Sequence, residues 1–371
     1  MLNNGRIKSD MMSKHTDVLI IGGGFGGVAV AQQLAKAGVD VTLIDRKNYF
    51  EVTFATLRNV TSPQKHGNTA RKLYRNFISG TFIQAGVNSM TENEAVLESG
   101  EVIRFKQAII ASGSRYPTLP EAKSNSKFDY AERNQEVLDA HKSLSSAESV
   151  LVIGGGAVGV EFAGEIASAF PTKNITLVHS TDRLLDNSEP KAQRKALEQL
   201  IAKGVKVKFN RNFSKNEGVY RCSKSGETLQ ADIAYECVGM VPNTEFLRTE
   251  LPNTLNSKGF INVDAYMRVK GYDNLYSLGD CADLDRHKHG YLASVQGALL
   301  AKVLLKSMKG QKVKPYKTPP LVVITPTGID SGVAQLPFAV TTMNFFVNLK
   351  QKDLGISNMY KIYGTEPDRF N

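Results

Sequence analysis

The stretch VLIIGGGFGG, residues 18–27, decides the fold of this chain, and a stretch of the same kind, VLVIGGGAVG, recurs at residues 150–159. Each begins with an apolar run typical of a buried strand, continues with glycines spaced as GxGxxG, and leads into a helical pattern rich in Ala and Val. The first glycine of this motif permits a tight turn, the second lets a pyrophosphate approach the backbone, and the third lets the helix pack closely on the sheet. The sequence therefore predicts two dinucleotide sites in one chain.

Two such sites are the arrangement of a flavoenzyme that is reduced by a nicotinamide nucleotide. With 371 residues, the chain is long enough for two or three domains. We predict an α/β fold with two Rossmann-like dinucleotide-binding domains, in which the helix over 291–309 packs back on the first domain. The expected boundaries are 1–130 and 251–314 for the FAD-binding domain, 131–250 for an inserted NAD(P)H-binding domain, and 315–371 for a C-terminal element.

Composition excludes several other classes of protein. No apolar run approaches the roughly 18–20 residues of a membrane span, and residues 1–15 lack the apolar core of a secretory signal. We therefore expect a cytoplasmic protein. The three cysteines, Cys222, Cys237 and Cys281, form no close pair in the sequence, so we predict neither a redox disulfide nor a metal site.

The basic charge is concentrated near the C-terminus. The chain has a net charge of +10, and residues 301–371 hold ten Lys or Arg against four Asp or Glu. An apolar and aromatic stretch, residues 336–349, lies among these lysines. Two interpretations remain open: a solvated lysine face, or peripheral attraction to an anionic membrane surface. No nucleic-acid-binding module accompanies the charge, so we expect no nucleic-acid partner.

Polar and small residues at strand ends indicate the first cofactor site. Asp45 ends the predicted strand 41–44, where a carboxylate can accept the hydroxyls of an adenosine ribose; the alternative is a surface aspartate. Ala111, Ser112 and Gly113 follow another predicted strand and form a small-residue crossing, where the chain can pass close to a flat ligand.

The equivalent strand of the second motif, residues 175–178, ends in His179 and Ser180, with Arg183 shortly after. No carboxylate stands at the strand end to repel a 2′-phosphate, so we expect NADPH to be used at least as well as NADH. Asp182 argues for the opposite preference, and His179 could instead act only as a cap.

Several segments resemble one family of flavoproteins. The chain resembles the glutathione-reductase-like flavoprotein reductases and, more narrowly, the apoptosis-inducing-factor-like, ferroptosis-suppressor quinone reductases. The segments that carry the resemblance are NYFEVTFATLR (48–58), VIGGGAVGVEFAGEIA (152–167), TLVHS (176–180), LYSLGDCAD (275–283), GYLA (290–293), QLPF (335–338) and LKQKDL (349–354).

This resemblance implies FAD as prosthetic group, NAD(P)H as donor and a lipid-soluble quinone of the ubiquinone, menaquinone or phylloquinone type as acceptor. It also implies antioxidant protection of a membrane that the C-terminal element approaches, and a homodimer is compatible with it. The N-terminal acylation signal of the animal proteins is absent. Two other classes stay open: a redox sensor of the apoptosis-inducing-factor type with little turnover, and a disulfide reductase, which the missing cysteine pair disfavours.

The sequence patterns described above and the resemblance together give the expected site residues. The expected FAD-binding positions are Gly22, Gly24, Phe25, Gly26, Gly27, Asp45, Arg46, Arg58, Phe82, Ala111, Gly113 and Asp280. The expected nicotinamide-nucleotide positions are Gly154, Gly156, Gly159, His179 and Arg183. Glu161 matches a glutamate near the nicotinamide and flavin rings, Gln296 a glutamine near flavin and quinone, and Lys350 a tail lysine of functional interest. The alternative for Glu161 is a satisfied acid near a helix N-terminus.

Overall fold

A computed structural model describes residues 14–216, 219–320, 322–343, 347–348 and 352–368 of the chain. These residues form two compact units. Unit 1 comprises the described residues of 1–50, 73–114 and 242–317, and unit 2 comprises those of 51–72, 115–241 and 318–371. Within these described ranges, no helix is both long and apolar enough to cross a membrane.

The strands and helices are numbered in chain order. The strands are β1 (Lys14–Ile21), β2 (Val41–Asp45), β3 (Tyr49–Glu51), β4 (Arg71–Leu73), β5 (Thr81–Gln84), β6 (Val87–Met90), β7 (Glu94–Leu97), β8 (Val102–Ile110), β9 (Ser114–Arg115), β10 (Ser149–Ile153), β11 (Asn174–Val178), β12 (Lys206–Lys208), β13 (Phe213–Asn216), β14 (Val219–Cys222), β15 (Thr228–Leu229), β16 (Ile233–Glu236), β17 (Val241–Pro242), β18 (Ile261–Asn262), β19 (Leu275–Ser277), β20 (Ala282–Asp283), β21 (Val323–Pro326), β22 (Gly332–Leu336) and β23 (Ala339–Thr341). The α-helices are α1 (Phe25–Lys36), α2 (Thr56–Thr61), α3 (Pro63–His66), α4 (Tyr130–Ser146), α5 (Ala157–Ala169), α6 (Pro190–Ala202), α7 (Gly290–Met308) and α8 (Ile356–Ile362).

The main sheet of unit 1 places the first glycine motif at the carboxyl ends of parallel strands. Strands β5, β2, β1 and β8 are parallel neighbours, β19 pairs with β8, and β7 and β6 continue the sheet in the antiparallel sense. Ile21, the last residue of β1, lies in register with Ile44 and Ile110. The residues that follow these three strands therefore emerge at one edge of the sheet, where dinucleotides bind in this class of fold.

Helix α7 packs against α1, as the sequence predicted. A Cβ atom on Gly297 would lie 2.4 Å from the carbonyl oxygen of Gly26, so a side chain at that position would push the two helices apart. The close approach of α1 and α7 therefore depends on a glycine in the middle of a helix.

Unit 2 repeats the arrangement around the second glycine motif. Strands β12, β11, β10 and β16 are parallel neighbours, and Ile153 at the end of β10 lies in register with Val178 and Glu236. One buried apolar core joins this sheet to helices α4, α5 and α6. Both units thus have the Rossmann-like α/β organisation that the two motifs predicted.

The C-terminal region contains an antiparallel sheet that the sequence did not predict. Strands β21, β22 and β23 form it, and it packs on helices α5 and α6. A Cβ atom on Gly164 of α5 would lie 2.2 Å from the carbonyl carbon of Thr327, which shows how closely the two approach. Gln199 of α6 accepts a hydrogen bond from the Thr327 hydroxyl at 2.6 Å and donates one to the Gly332 carbonyl at 3.2 Å.

The limits of the compact units differ from the expected domain boundaries. Residues 51–72 and 115–130 belong to unit 2, residues 242–250 belong to unit 1, and the described residues from 318 onward belong to unit 2. Helix α2 explains the first difference, because it packs against α4 and α5. This packing joins segments that are distant in sequence, so the local pattern of apolar residues does not predict it.

Candidate dinucleotide-binding sites

The first glycine motif has the geometry that a pyrophosphate site requires. Gly22 has a φ of +104° and a Cβ on it would lie 2.3 Å from the Ala111 carbonyl oxygen, while a Cβ on Gly27 would lie 1.9 Å from the Gly22 oxygen. These two glycines are therefore needed by the turn and by the helix–strand packing. A Cβ on Gly24 would meet no atom within 4 Å, so the space next to this glycine is available to a ligand.

The N-terminus of helix α1 lies at the glycine turn. Its N-cap residue, Gly24, provides no side-chain cap, and its first turn contains no acidic residue. The N–H groups of a helix N-terminus and the helix dipole both favour an anion there. The first motif therefore fits the pyrophosphate of a dinucleotide such as FAD.

Asp45 lies at the end of β2 and holds the glycine turn. Its carboxylate accepts the N–H of Gly23 at 2.6 Å and the N–H of Lys47 at 2.8 Å. A carboxylate has about four acceptor positions, so capacity for ribose hydroxyls remains. Asp45 can thus both hold the turn and bind the sugar.

Tyr74 is a residue of this site that the sequence analysis missed. Its side chain is buried, and its hydroxyl donates to the Gly23 carbonyl at 2.6 Å. Its ring lies 4.8 Å from the ring of Phe82, which connects that expected cofactor-binding position to the glycine turn. No motif surrounds Tyr74 in the sequence, so nothing in the sequence indicated this role.

Three other expected FAD-binding residues of unit 1 differ in burial and in the contacts they make. Phe25 is buried and packs edge-to-face on Phe50 with ring centroids 5.4 Å apart. Arg46 is exposed and forms an ion pair with Glu98. Gly113, two residues after Ala111, has a φ of +68°, a conformation that favours glycine.

Asp280 lies in a short 3₁₀ turn, Gly279–Cys281, after β19. Its carboxylate accepts the hydroxyl of Ser114 at 2.7 Å. The structure brings Asp280 together with Gln296 in one shallow pocket at the start of α7. The lining residues are Gly279, Asp280, Asp285, His287, Lys288, His289, Leu292, Ala293 and Gln296.

Gln296 is buried and holds the turn that contains Asp280. Its Oε1 accepts the N–H of Gly279 at 2.8 Å, and its Nε2 donates to Asp285 at 2.7 Å. The hydroxyl of Tyr316 donates to the same Asp285 oxygen at 2.6 Å. The contacts of Gln296 therefore position the Asp280 turn, and Asp285 and Tyr316 are two supporting residues that the sequence analysis did not identify.

The surroundings of Lys288 in this pocket shift its pKa. Burial lowers the pKa of Lys288, although the nearby carboxylate of Asp280 acts in the opposite direction. The Lys288 ammonium donates to the Ala282 carbonyl at 2.6 Å. The pocket thus holds a half-buried cation close to the carboxylate that we expect to contact the flavin.

The second glycine motif has the same geometry in unit 2. Gly154 has a φ of +112°, and a Cβ on Gly159 would lie 1.8 Å from the Gly154 oxygen. A Cβ on Gly156 would meet no atom within 4 Å. Helix α5 also begins at a glycine without a side-chain cap and without an acidic residue in its first turn. A second pyrophosphate therefore fits here.

His179 and Arg183 lie in the loop after β11. The Nδ1 atom of His179 accepts the N–H of Gly155 at 3.0 Å, and its Nε2 lies 3.2 Å from Asp186. Arg183 is exposed and donates from its Nε to Asp182 at 2.8 Å. The His179 side chain thus contacts the second motif, whereas the Arg183 side chain is engaged by Asp182.

Glu161 and Arg58 both belong to unit 2, where they have different surroundings. Glu161 is half-buried on α5, one turn before Glu165. Glu165 is fully buried and accepts two hydrogen bonds from Arg58, from Nε at 2.9 Å and from Nη2 at 2.5 Å. Arg58, expected to contact FAD, is thus held by Glu165 within unit 2, whereas Asp45 and Asp280 belong to unit 1.

Lys350 and the three cysteines are the other residues that the sequence analysis named. Lys350 lies outside the described residues. The three cysteines are free and buried. Burial raises the pKa of the Cys237 thiol, so this cysteine next to the second motif stays protonated.

A family model described as "Pyridine nucleotide-disulphide oxidoreductase" matches residues 16–300. Ferroptosis suppressor protein 1 of Xenopus tropicalis is 31% identical, over 94% of this chain and 96% of its own length. Among solved structures, the sulfide:quinone oxidoreductase of Aquifex aeolicus has a TM-score of 0.74 at 17% identity, covering 94% of this chain and 92% of that one. NDH2 of Plasmodium falciparum, solved with NADH, has a TM-score of 0.73 at 16% identity, covering 90% and 93%. The chain therefore belongs to the pyridine nucleotide-disulphide oxidoreductase family, in the group that contains the ferroptosis suppressor proteins.

Proposed function

We propose that this chain passes reducing equivalents from NAD(P)H, by way of FAD, to a lipid-soluble quinone. Membership of the family makes it an NAD(P)H-dependent flavin oxidoreductase, so the proposal concerns the acceptor, the nucleotide and the membrane. The observation that carries it is the state of the cysteines: all three are free and buried, so no cysteine pair can relay electrons to a disulfide substrate. The acceptor must then be reduced without a protein thiol.

In this proposal the chain binds and orients two cofactors, and a bound flavin supplies the hydride and electron chemistry. The uncapped start of α1 and the carboxylates of Asp45 and Asp280 hold FAD. The uncapped start of α5, with His179 and Arg183, holds the nicotinamide nucleotide. Gln296 acts as a positioning residue through Gly279, the residue before Asp280.

The quinone is proposed from the resemblance and from the fold. This chain shares its fold with the sulfide:quinone oxidoreductase of Aquifex aeolicus. The proposal that a quinone is the acceptor can be tested by steady-state kinetics. The measurement is the oxidation of NADPH and of NADH with soluble analogues of ubiquinone, menaquinone and phylloquinone as acceptors. Turnover with one class supports the proposal and names the quinone, whereas slow oxidation with all three contradicts it. A second assay tests the antioxidant role: the protein should protect lipids from oxidation in vesicles that contain the same quinone.

A redox sensor of the apoptosis-inducing-factor type is the second candidate, because such a protein would share both glycine motifs. Stopped-flow absorbance separates the two functions. A quinone reductase is reduced by NAD(P)H and reoxidised by quinone in repeated cycles, whereas a sensor stays in the reduced complex with its nucleotide.

The Glu161→Gln variant should remain yellow and turn over slowly. We propose that Glu161 lies near the reacting rings and holds or transfers a proton, a contribution typically worth about 100-fold or more in rate. The measurement is kcat with the best quinone, alongside the flavin spectrum. Glu198→Gln, an exposed acid on α6, is the matched control and should leave kcat unchanged. Wild-type turnover by Glu161→Gln would assign this residue a structural role.

The nucleotide preference depends on Arg183 in this proposal. Replacing Arg183 by Ala should raise KM for NADPH selectively, by the equivalent of roughly 1–3 kcal/mol, because a charge-assisted contact with the 2′-phosphate is lost. Values of kcat/KM for NADPH and NADH measure the effect, with Arg194→Ala, another exposed arginine, as control. An equal loss with both nucleotides, or a strong wild-type preference for NADH, would contradict it.

We further propose that the C-terminal sheet contacts a membrane. Phe338 lies at the turn between β22 and β23 with its side chain fully exposed, and Met343 is also exposed. Phe338→Ser should weaken binding to anionic liposomes by about tenfold or more, because burying an exposed aromatic ring in an apolar phase contributes roughly 1.5–3 kcal/mol. Ile201→Ser, which removes an exposed apolar residue on α6, is the control in the same sedimentation assay. Equal binding by both variants and the wild type would rule this contact out.

A further inference from the structure

The turn that carries Asp280 is held at both ends by side chains that follow it in the chain. On one side Gln296 accepts the N–H of Gly279 at 2.8 Å. On the other side the Lys288 ammonium donates to the Ala282 carbonyl at 2.6 Å. Gly279 has a φ of +74°, a conformation that favours glycine, so its backbone depends on glycine and on these contacts. The placement of the Asp280 carboxylate therefore depends on the two side chains that hold its turn.

The amide of Gln296 can hold Gly279 in only one of its two orientations. A carboxamide presents an acceptor oxygen and a donor NH2 group, and exchanging the two would turn a donor toward the Gly279 N–H. The amide Nε2 of Gln296 donates to Oδ2 of Asp285 at 2.7 Å. An ionised carboxylate can only accept hydrogen bonds, so Asp285 excludes the inverted amide. Asp285 thereby keeps the Gln296 oxygen on the side of Gly279.

The same oxygen of Asp285 is bonded by a residue of the segment that follows α7. We call residues 311–317 the linker; they contain no helix or strand. The hydroxyl of Tyr316 donates to Asp285 Oδ2 at 2.6 Å, and the Tyr316 N–H donates to the Ala265 carbonyl at 2.6 Å. Tyr316 is half-buried, and all of these residues belong to unit 1. Backbone and side chain of Tyr316 thus both fasten the linker beside the pocket.

We propose that Asp285 and Tyr316 are positioning residues for FAD, and that they couple docking of the linker to binding of the flavin. The contacts run from Tyr316 through Asp285 and Gln296 to the turn. If a docked linker strengthens FAD binding through these contacts, bound FAD must by linkage hold the linker more firmly, by the same factor. This inference rests on the proposed function only in taking the Asp280 pocket as part of the FAD site.

The first test is the rate at which FAD leaves the full-length, FAD-loaded protein after dilution, followed by flavin fluorescence without nucleotide or quinone. Tyr316→Phe removes one donor to Asp285 and should speed FAD release about threefold. Asp285→Leu removes the group that orients the Gln296 amide and should speed release about tenfold. Tyr266→Phe, the same change at the residue after Ala265, is the matched control and should release FAD at the wild-type rate.

An exchange of side chains tests the polarity of the amide directly. Gln296→Glu alone places two carboxylates against each other and should speed FAD release by about tenfold or more. Adding Asp285→Asn should restore release to within about threefold of the wild type. The new amide can donate to one oxygen of the new carboxylate, while the other oxygen accepts the Gly279 N–H. A general loss of packing would not be rescued by this second change.

Hydrogen exchange followed by mass spectrometry tests the reverse direction of the coupling. In the full-length wild type, the backbone N–H groups of residues 312–317 should exchange about threefold more slowly with FAD bound than without it. Tyr316→Phe should abolish this difference, because the linker is no longer bonded to Asp285 through its hydroxyl. Tyr266→Phe should keep the difference.

Three results would overturn the inference. They are wild-type FAD release by either Tyr316→Phe or Asp285→Leu, a double variant that releases FAD as fast as Gln296→Glu alone, and exchange at 312–317 that FAD does not change. Absence of quinone turnover would contradict the proposed function and leave all of these measurements interpretable, because none of them contains quinone. The two failures are therefore distinguishable.

Discussion

Replacing Glu165 by Ala is expected to destabilise the protein by about 3–5 kcal/mol, the usual effect of removing one partner from a buried ion pair. Arg58 and Glu165 are 3% and 0% exposed, so the variant leaves a buried guanidinium without its carboxylate. One Nη of Arg58 also lies 3.5 Å from the Gly328 carbonyl.

Thermal unfolding monitored by circular dichroism measures this effect. A unit of this size should lose roughly 10 °C in Tm for such a change. Glu161→Ala, one turn earlier on α5 and half-buried, is the matched control and should lower Tm far less. The double variant Arg58→Met, Glu165→Leu should recover most of the loss, because apolar replacement of both partners is often neutral. A Tm for Glu165→Ala close to that of the wild type would show that the pair contributes little to stability.

Asp280→Ala should lose most of the bound flavin on purification. In the proposed site the Asp280 carboxylate bonds to the cofactor, and hydrogen bonds to a charged group contribute about 1.5–3 kcal/mol each. Loss of two such bonds weakens FAD binding by roughly 100-fold or more. The ratio of flavin to protein absorbance measures occupancy, and titration of apoprotein with FAD measures the affinity.

Two further variants make the Asp280 result specific. Asp283→Ala removes an exposed acid three residues later and should keep the flavin. Ser114→Ala removes the hydroxyl that bonds to Asp280 at 2.7 Å and should weaken FAD by an intermediate amount. Full FAD occupancy in Asp280→Ala would contradict the assignment of this aspartate.

Much of the two candidate sites could be predicted from sequence because their defining features are local. Gly22 and Gly154 have positive φ values within turns of a few residues, and the spacing to Gly27 and Gly159 follows from one helical turn. The strand ends that bring Asp45 and His179 beside these turns follow from the parallel βαβ arrangement. Neither the hydrogen bonds of Asp45 and His179 to the turns nor the engagement of Arg183 by Asp182 could be read from the motif.

The sequence by itself determined the α/β class, the two dinucleotide motifs and the absence of a close cysteine pair, because each depends on the type and spacing of neighbouring residues. Only the tertiary structure decided that Arg58 pairs with Glu165, 107 positions away, and that Tyr74 holds Gly23, 51 positions away. It also decided that the C-terminal sheet packs on α5 and α6. These contacts depend on burial and on the close approach of distant segments, and neither leaves a periodic signal in the chain.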